Sequence, residues 1–249
     1  MRFKDQVVVI TGGSSGIGAT AAVAFAGEGA KVAITGRNPD RTARVAESCG
    51  AIHVGTGDIT DPDYCGAFLD EVVERGGGID VLVNGAGMIV RGDVTETADR
   101  QWLDLIDINV NAVFFMSREA IRRMRPRGRG AIVNVSSTCG LVGSRGLAGY
   151  CATKGALIQM TQAMALDCAT DGIRINSVCP GATDTPMLFS AHARRPSRSE
   201  MEDIQVRTVP MERMARPEEV VSAIMFLASA EAGYITGASL PVDGGYTAR

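Results

Sequence analysis

Lysine is nearly missing from this sequence. The 249 residues include three, Lys4, Lys31 and Lys154, against 22 arginines. Histidine is scarcer still, with only His53 and His192, so a metal site built from several histidines is nearly excluded and none is expected. There is no excess of positive charge. The formal net charge is −3, which argues against a protein that holds nucleic acid or anionic membrane through bulk charge. The six cysteines (Cys49, Cys65, Cys139, Cys151, Cys168, Cys179) form no C-x-x-C pair and are too few for a disulfide scaffold. They fit small buried hydrophobes in a reducing compartment, and a cytoplasmic protein is expected.

Charge is also absent from Gln6 to Gly27. Preceded by Arg2 and Lys4 and ending in Ala24-Phe25-Ala26, this run imitates a secretory leader and has the length of a membrane span. Thr11-Gly12-Gly13-Ser14-Ser15-Gly16 interrupts it with a polar, glycine-rich turn. A buried strand, a turn and a buried helix account for the whole run, so no membrane partner is expected.

What is present is a globular composition, 45% hydrophobic and 21% charged, in a chain long enough for one sizeable core. Short β-branched runs at 7–11, 32–35, 52–55, 81–84, 132–136, 174–179 and 239–242 predict strands. Between them, 16–29, 41–49, 63–75, 99–124, 152–169 and 217–228 have helical patterns. Pro217 followed by Glu218 and Glu219 suits a helix start, and Gly29 a left-handed helix end. Strands alternating with helices imply an α/β fold: a doubly wound parallel sheet of Rossmann type, with helices on both faces of a single domain spanning 1–249. Residues 183–216, proline-bearing and weakly periodic, are expected to form a substrate lid, with surface decoration as the plain alternative.

Thr11-Gly12-x-x-x-Gly16-x-Gly18 lies between the first strand and first helix. Glycines there allow a tight turn and let backbone amides approach a pyrophosphate at the helix N-terminus. The flanking strand and helix supply the context a nucleotide site needs. Gly12-Gly13-Ser14-Ser15-Gly16 also fits a hydrolase nucleophile elbow, whose Ser…Asp…His order His192 could complete, but His192 lies in the irregular segment and the first strand is an unusual place for it.

Tyr150-Cys151-Ala152-Thr153-Lys154 puts a phenol and an ammonium one turn apart on one helix face. At ~5 Å and an effective dielectric of ~20, the charge favours phenolate by about 3 kcal/mol, bringing the phenol from ~10 toward about 8. Lysine suits this place better than arginine, because its compact ammonium can approach two partners at once. With the glycine turn, Asn84-Gly85-Ala86-Gly87, Asn109, Ser137 thirteen residues before Tyr150, Pro180-Gly181 and the C-terminal Val242-Asp243-Gly244-Gly245 in this order, the chain resembles the short-chain dehydrogenase/reductase family over nearly its whole length.

The resemblance implies an NAD(P)-dependent oxidoreductase acting on a secondary alcohol or ketone without a metal. Tyr150 would be the general acid or base, Lys154 its helper and a ribose ligand, Ser137 the holder of the substrate oxygen, and Asn109 the residue positioning a relay water. Cofactor contacts are expected from Gly12, Ser14, Ser15, Gly16, Ile17 and Gly18 in the first turn, and from Asp58 and Ile59 on the adenine side. Asn84, Ala86 and Gly87, then Tyr150, Lys154, Pro180, Gly181, Thr183 and Thr185, complete the set. Gly85 stands where the family usually has a second asparagine, which puts local rigidity in question. Gly36 stands where NAD enzymes carry an acid and Arg37 follows it, so NADP(H) is favoured over NAD(H).

Met88, Leu141, Val142, Leu147, Met187 and Leu188 are expected to face the substrate or else pack in the core. Arg194, Arg195 and Arg198 would meet an anionic substrate or form a solvated loop, the plainer alternative. The basic cluster Arg118, Arg122, Arg123, Arg125, Arg127 and Arg129 raises a 3-oxoacyl thioester on an acidic carrier protein, which Thr170-Asp171-Gly172 weakens. A homotetramer is implied by family likeness, and a catalytically silent NAD(P)-binding redox sensor is the functional alternative.

Overall fold

The structure is a computed structural model in which residues 1–192 and 194–248 are described. Ala193, inside the expected lid, and Arg249 lie outside them. Seven parallel strands form one sheet in the order β3-β2-β1-β4-β5-β6-β7. They are β1 (Val7–Thr11), β2 (Lys31–Gly36), β3 (His53–Thr56), β4 (Val81–Asn84), β5 (Gly130–Val135), β6 (Ile173–Pro180) and β7 (Ser239–Val242). The register pairs Val8 with Val32 on one side and Val81 on the other, so β1 is an interior strand and the strand order reverses between it and β4. A cleft opens beyond the C-terminal ends at such a point because the two connections leave in opposite directions.

Alternation along β1 divides the core in two. Val8 and Ile10 pack with Ala21, Ala22 and Phe25 of α1 (Gly16–Gly27), Ala46 of α2 (Pro39–Cys49) and Val220, Val221 and Ile224 of α8 (Pro217–Ala228). Val7 and Val9 face the other way, toward Phe68, Leu69 and Val72 of α3 (Pro62–Gly76). With them pack Met116, Ala120 and Met124 of α5 (Ala112–Met124) and Ala165 of α6 (Ala148–Cys168). Each such Leu, Ile or Phe, once buried, contributes about 1.5–3 kcal/mol of transfer free energy, which ties both helical layers to the sheet.

Three expected elements differ. The helix predicted over 99–124 is α4 (Asp99–Ile106), a π turn (Asp107–Asn111) and α5 in continuous succession. One extra residue per turn re-aims Asn109 without breaking the helix. The helix predicted from 152 starts at Ala148, so Tyr150 lies inside its first turn. The expected lid contains a helix, α7 (Arg198–Thr208), which a hydrophobic pattern does not disclose because it buries only Met201 and Gln205. Its start is written in the sequence all the same, since Ser197 and Glu200 form a reciprocal capping box. The excursion is closed at its base where Thr183 pairs with Ala215.

Candidate active site

The cavity beyond the sheet's C-terminal ends has a volume of about 700 Å³, within the usual range for a cofactor site. Gly12, Ser14, Ser15, Gly16, Ile17 and Gly18 of the first turn line it, as do Arg37, Asp58 and Ile59. Gly12 and Gly16 take φ of +70° and +54°, a conformation other residues rarely adopt. A Cβ on Gly12 would lie 2.7 Å from the Ala86 backbone, and one on Gly18 would lie 2.3 Å from the Gly12 carbonyl oxygen. Glycine is therefore required twice over. Ser15 opens α1 without a side-chain cap and no acid occupies the first turn, which leaves amide donors and a positive dipole end facing the cavity. These features fit a nucleotide pyrophosphate. Gly85 has an ordinary φ and a Cβ there would sit 2.9 Å from the Thr11 carbonyl oxygen, so close packing holds this turn despite the missing asparagine.

Asn84 is a correction. It does not line the cavity but lies buried beneath it, its amide donating to Ser117 Oγ at 3.0 Å and Asn134 Oδ1 at 2.8 Å. The side chain ties β4 to β5 and α5, as a buried amide flanked by strands must do to satisfy its donors. Of the expected substrate-facing residues, Leu147, Met187 and Leu188 line the cavity, whereas Met88, Leu141 and Val142 do not.

At the other end, α6 brings Tyr150 and Lys154 to the wall formed by Ser137 after β5, with all three buried. Lys154 Nζ lies 5.7 Å from the Tyr150 ring centroid and donates to the Val135 carbonyl at 2.8 Å. The geometry matches the spacing argument, but the expected electrostatics do not. Burial, with Cys139 adding to it, pushes the Tyr150 phenol above its ordinary value, opposed by a hydrogen bond from Ser137 and the charge of Arg91. Burial also brings Lys154 down to about 8. Spacing alone counts only the charge beside the phenol; inside the protein both groups lose water, and desolvation is the largest cause of each shift.

Asn109 is fully buried and does not line the cavity. Its Oδ1 accepts from Met88 N at 2.8 Å while its Nδ2 donates to Met88 O at 2.9 Å, clamping the strand-to-loop turn after Gly87. Asn109 Oδ1 and Lys154 Nζ lie 3.2 and 3.5 Å from where a Cβ on Gly87 would sit, so both border the space a side chain there would take. Pro180, Gly181, Thr183 and Thr185 line the roof, and Thr185 rests 3.3 Å from the Cβ position of Gly16. His192 bonds the Leu188 carbonyl, and Ser14 packs against Gly36, so no bond joins the two as a hydrolase would need. Among the described residues no group of three or more His, Cys, Asp and Glu is placed to hold a metal, and no helix is long and apolar enough to cross a membrane.

Sequence reasoning missed Asn38, Arg41 and Arg91 in the lining. Arg37 and Arg41 make no ion pair among the described residues, in contrast to the cluster on α5 and beyond. There, Arg118, Arg122 and Arg123 meet Glu119, Arg125 meets Asp171, and Arg127 and Arg129 meet Asp80.

Residues 12–247 match the family model described as enoyl-(acyl carrier protein) reductase. The chain belongs to the short-chain dehydrogenase/reductase family and is an NAD(P)-dependent oxidoreductase. It is 40% identical to meso-2,3-butanediol dehydrogenase of Serratia marcescens, across 100% of this chain and 97% of that one. It is 39% identical to cis-4-hydroxycyclohexanecarboxylate dehydrogenase of Sinomonas cyclohexanicum, covering 99% and 98%. With the NADP-dependent (R)-specific alcohol dehydrogenase of Lentilactobacillus kefiri it shares 38%, covering 100% and 99%. A short-chain type dehydrogenase/reductase from Mycobacterium marinum superposes with a TM-score of 0.91 at 32% identity, over 99% and 97% of the two chains.

Proposed function

We propose that this chain interconverts a secondary alcohol and a ketone with NADP(H), using Tyr150 as the acid or base at the substrate oxygen. The observation that carries this reading is the buried Tyr150 beside Ser137 and Lys154, in a cavity continuous with the glycine turn. The bound nicotinamide supplies or accepts the hydride. Tyr150, kept protonated by burial, gives its proton to the oxygen as a carbonyl is reduced and takes it back in the reverse direction. Ser137 orients that oxygen. Lys154 keeps two N–H donors beyond the Val135 bond, enough for a ribose hydroxyl and a water leading toward Asn109.

NADP(H) is supported by the unpaired Arg37 and Arg41 at the adenine end. A Cβ on Gly36 would lie 2.7 Å from Thr42 Oγ1, leaving no room for the acid that would favour NAD(H). The segment 183–216 serves as lid, since Met187, Leu188, Met201 and Gln205 face the cavity from it. Trp102, Leu103, Phe114 and Leu166 leave apolar area exposed on α4, α5 and α6, which supports a homotetramer covering that face. The six free thiols support a cytoplasmic setting. Ion pairing of the arginine cluster disfavours an acidic carrier protein there, so a small alcohol or carbonyl compound is the better partner.

The test is NADPH oxidation followed at 340 nm with a panel of ketones. Tyr150→Phe should lower kcat by about 10²–10⁴ while NADPH still binds; near-full turnover in that variant refutes the assignment.

A further inference from the structure

The substrate end of the cavity is charged in one sense. Asp58, on the adenine side, is the single acid among its described lining residues, whereas Arg91 and Lys154 stand at the reacting end. Lys154 already has its place beside Tyr150. Arg91 has none in the chemistry described above.

Its backbone is pinned on both sides. Asn109 clamps Met88, and Gly92 N donates to Gly146 O at 3.0 Å, so the loop between them presents Arg91 from a fixed base. The half-buried guanidinium donates from Nε to Ser190 O at 3.2 Å and from Nη2 to Leu188 O at 3.3 Å. Both partners are neutral carbonyls. A guanidinium has five N–H donors, so three remain, including both on Nη1, and no carboxylate among the described residues neutralises the charge. Loss of water without an acid partner lowers its pKa. Two lid arginines differ in this respect: Arg194 pairs with Glu200, and Arg198 with Asp184 and Glu202.

We infer that Arg91 is a specificity residue that binds an oxyanion on the substrate, so that the preferred substrate is a hydroxy acid or oxo acid with a carboxylate-class group a few bonds from the reacting carbon. A planar fork with free parallel donors matches a carboxylate in two-point contact, and the apolar Ile89, Leu147 and Leu188 line the same cavity, where less water would weaken the pair. The inference rests on the oxidoreductase reading of the same site, and its test distinguishes the two.

With the protein saturated with NADP⁺, calorimetric titration measures binding of levulinate and 5-oxohexanoate against their methyl esters. At least one acid should bind tenfold or more tightly than its ester, Arg91→Gln should reduce that ratio to within about threefold, and Arg91→Lys should restore part of it. Equal affinity of acid and ester in the wild type, no measurable binding of either acid, or a preference that survives Arg91→Gln overturns the inference. So does an equal loss of acid and ester binding in the variant, which would make Arg91 only a tether for the 188–190 turn. Turnover of the neutral ketone cyclohexanone, and its loss in Tyr150→Phe, reports on the acid–base reading alone.

Discussion

Replacing Lys154 by methionine should stabilise the cofactor-free protein near neutral pH and flatten the rise in its stability toward alkaline pH. Lys154 is 4% exposed, and burial brings its ammonium from 10.5 down to about 8. The unfolded chain therefore binds more protons than the folded one between pH 8 and 10.5, and folding stability rises with pH through that window. The burden of charging the buried amine is about 3 kcal/mol at pH 7 and about 1 kcal/mol at pH 9.5, at about 1.36 kcal/mol per pKa unit. Methionine removes that burden and leaves Val135 O without its 2.8 Å donor, a loss of about 1–3 kcal/mol that does not depend on pH. Urea unfolding of both proteins at pH 7 and 9.5, under reducing conditions, isolates the lysine together with Cys139 and Cys179, the thiols its charge acts on, because titrating groups away from it cancel in the difference. The wild type should gain about 2 kcal/mol relative to Lys154→Met across that interval. A pH-independent difference between the two would show that the amine is solvated in the folded protein. Activity should fall in the same variant, as expected where a strained, destabilised group serves chemistry.

Two further outcomes follow from the cofactor end. Removing Arg37 and Arg41 together should weaken NADPH binding roughly tenfold or more, and NADH binding little, by analogy with charge-assisted hydrogen bonds of about 1.5–3 kcal/mol; equal losses measured by fluorescence titration would mean neither arginine meets a 2′-phosphate. Gly18→Ala places a Cβ 2.3 Å from Gly12 O, so the turn must shift; a destabilisation of about 1–3 kcal/mol and weaker binding of either cofactor are expected, and an unchanged Tm and affinity would contradict the close packing.

Much of the fold was legible because its signals are local. The strands were found from β-branched runs, and β1 and β7 match their expected limits, since a buried parallel strand needs apolar side chains on both faces. The start of α8 at Pro217 and the left-handed Gly29 likewise depend on one or two residues. α7 escaped because it lies on the surface with few buried positions, although Ser197 and Glu200 announce it. The π turn at Asp107–Asn111 escaped because nothing in a helical period marks one extra residue. Seventeen of the eighteen expected cofactor residues line the cavity; Asn84 does not, because facing inward or outward at the end of a strand depends on neighbours far along the chain.

By itself, then, the sequence determined the order of strands and helices, the glycines that no other residue could replace, and the pairing of the one well-placed lysine with Tyr150. All of these follow from backbone freedom and spacing. Tertiary structure decided what those groups experience. It buried Tyr150 and Lys154 so that desolvation set the direction of both shifts, matched the arginines of the basic cluster with Glu119, Asp171 and Asp80, and left Arg91 charged and unmatched at the reacting end. Charge is written residue by residue, but its strength depends on how much water and which partners surround it, and only the folded chain sets those.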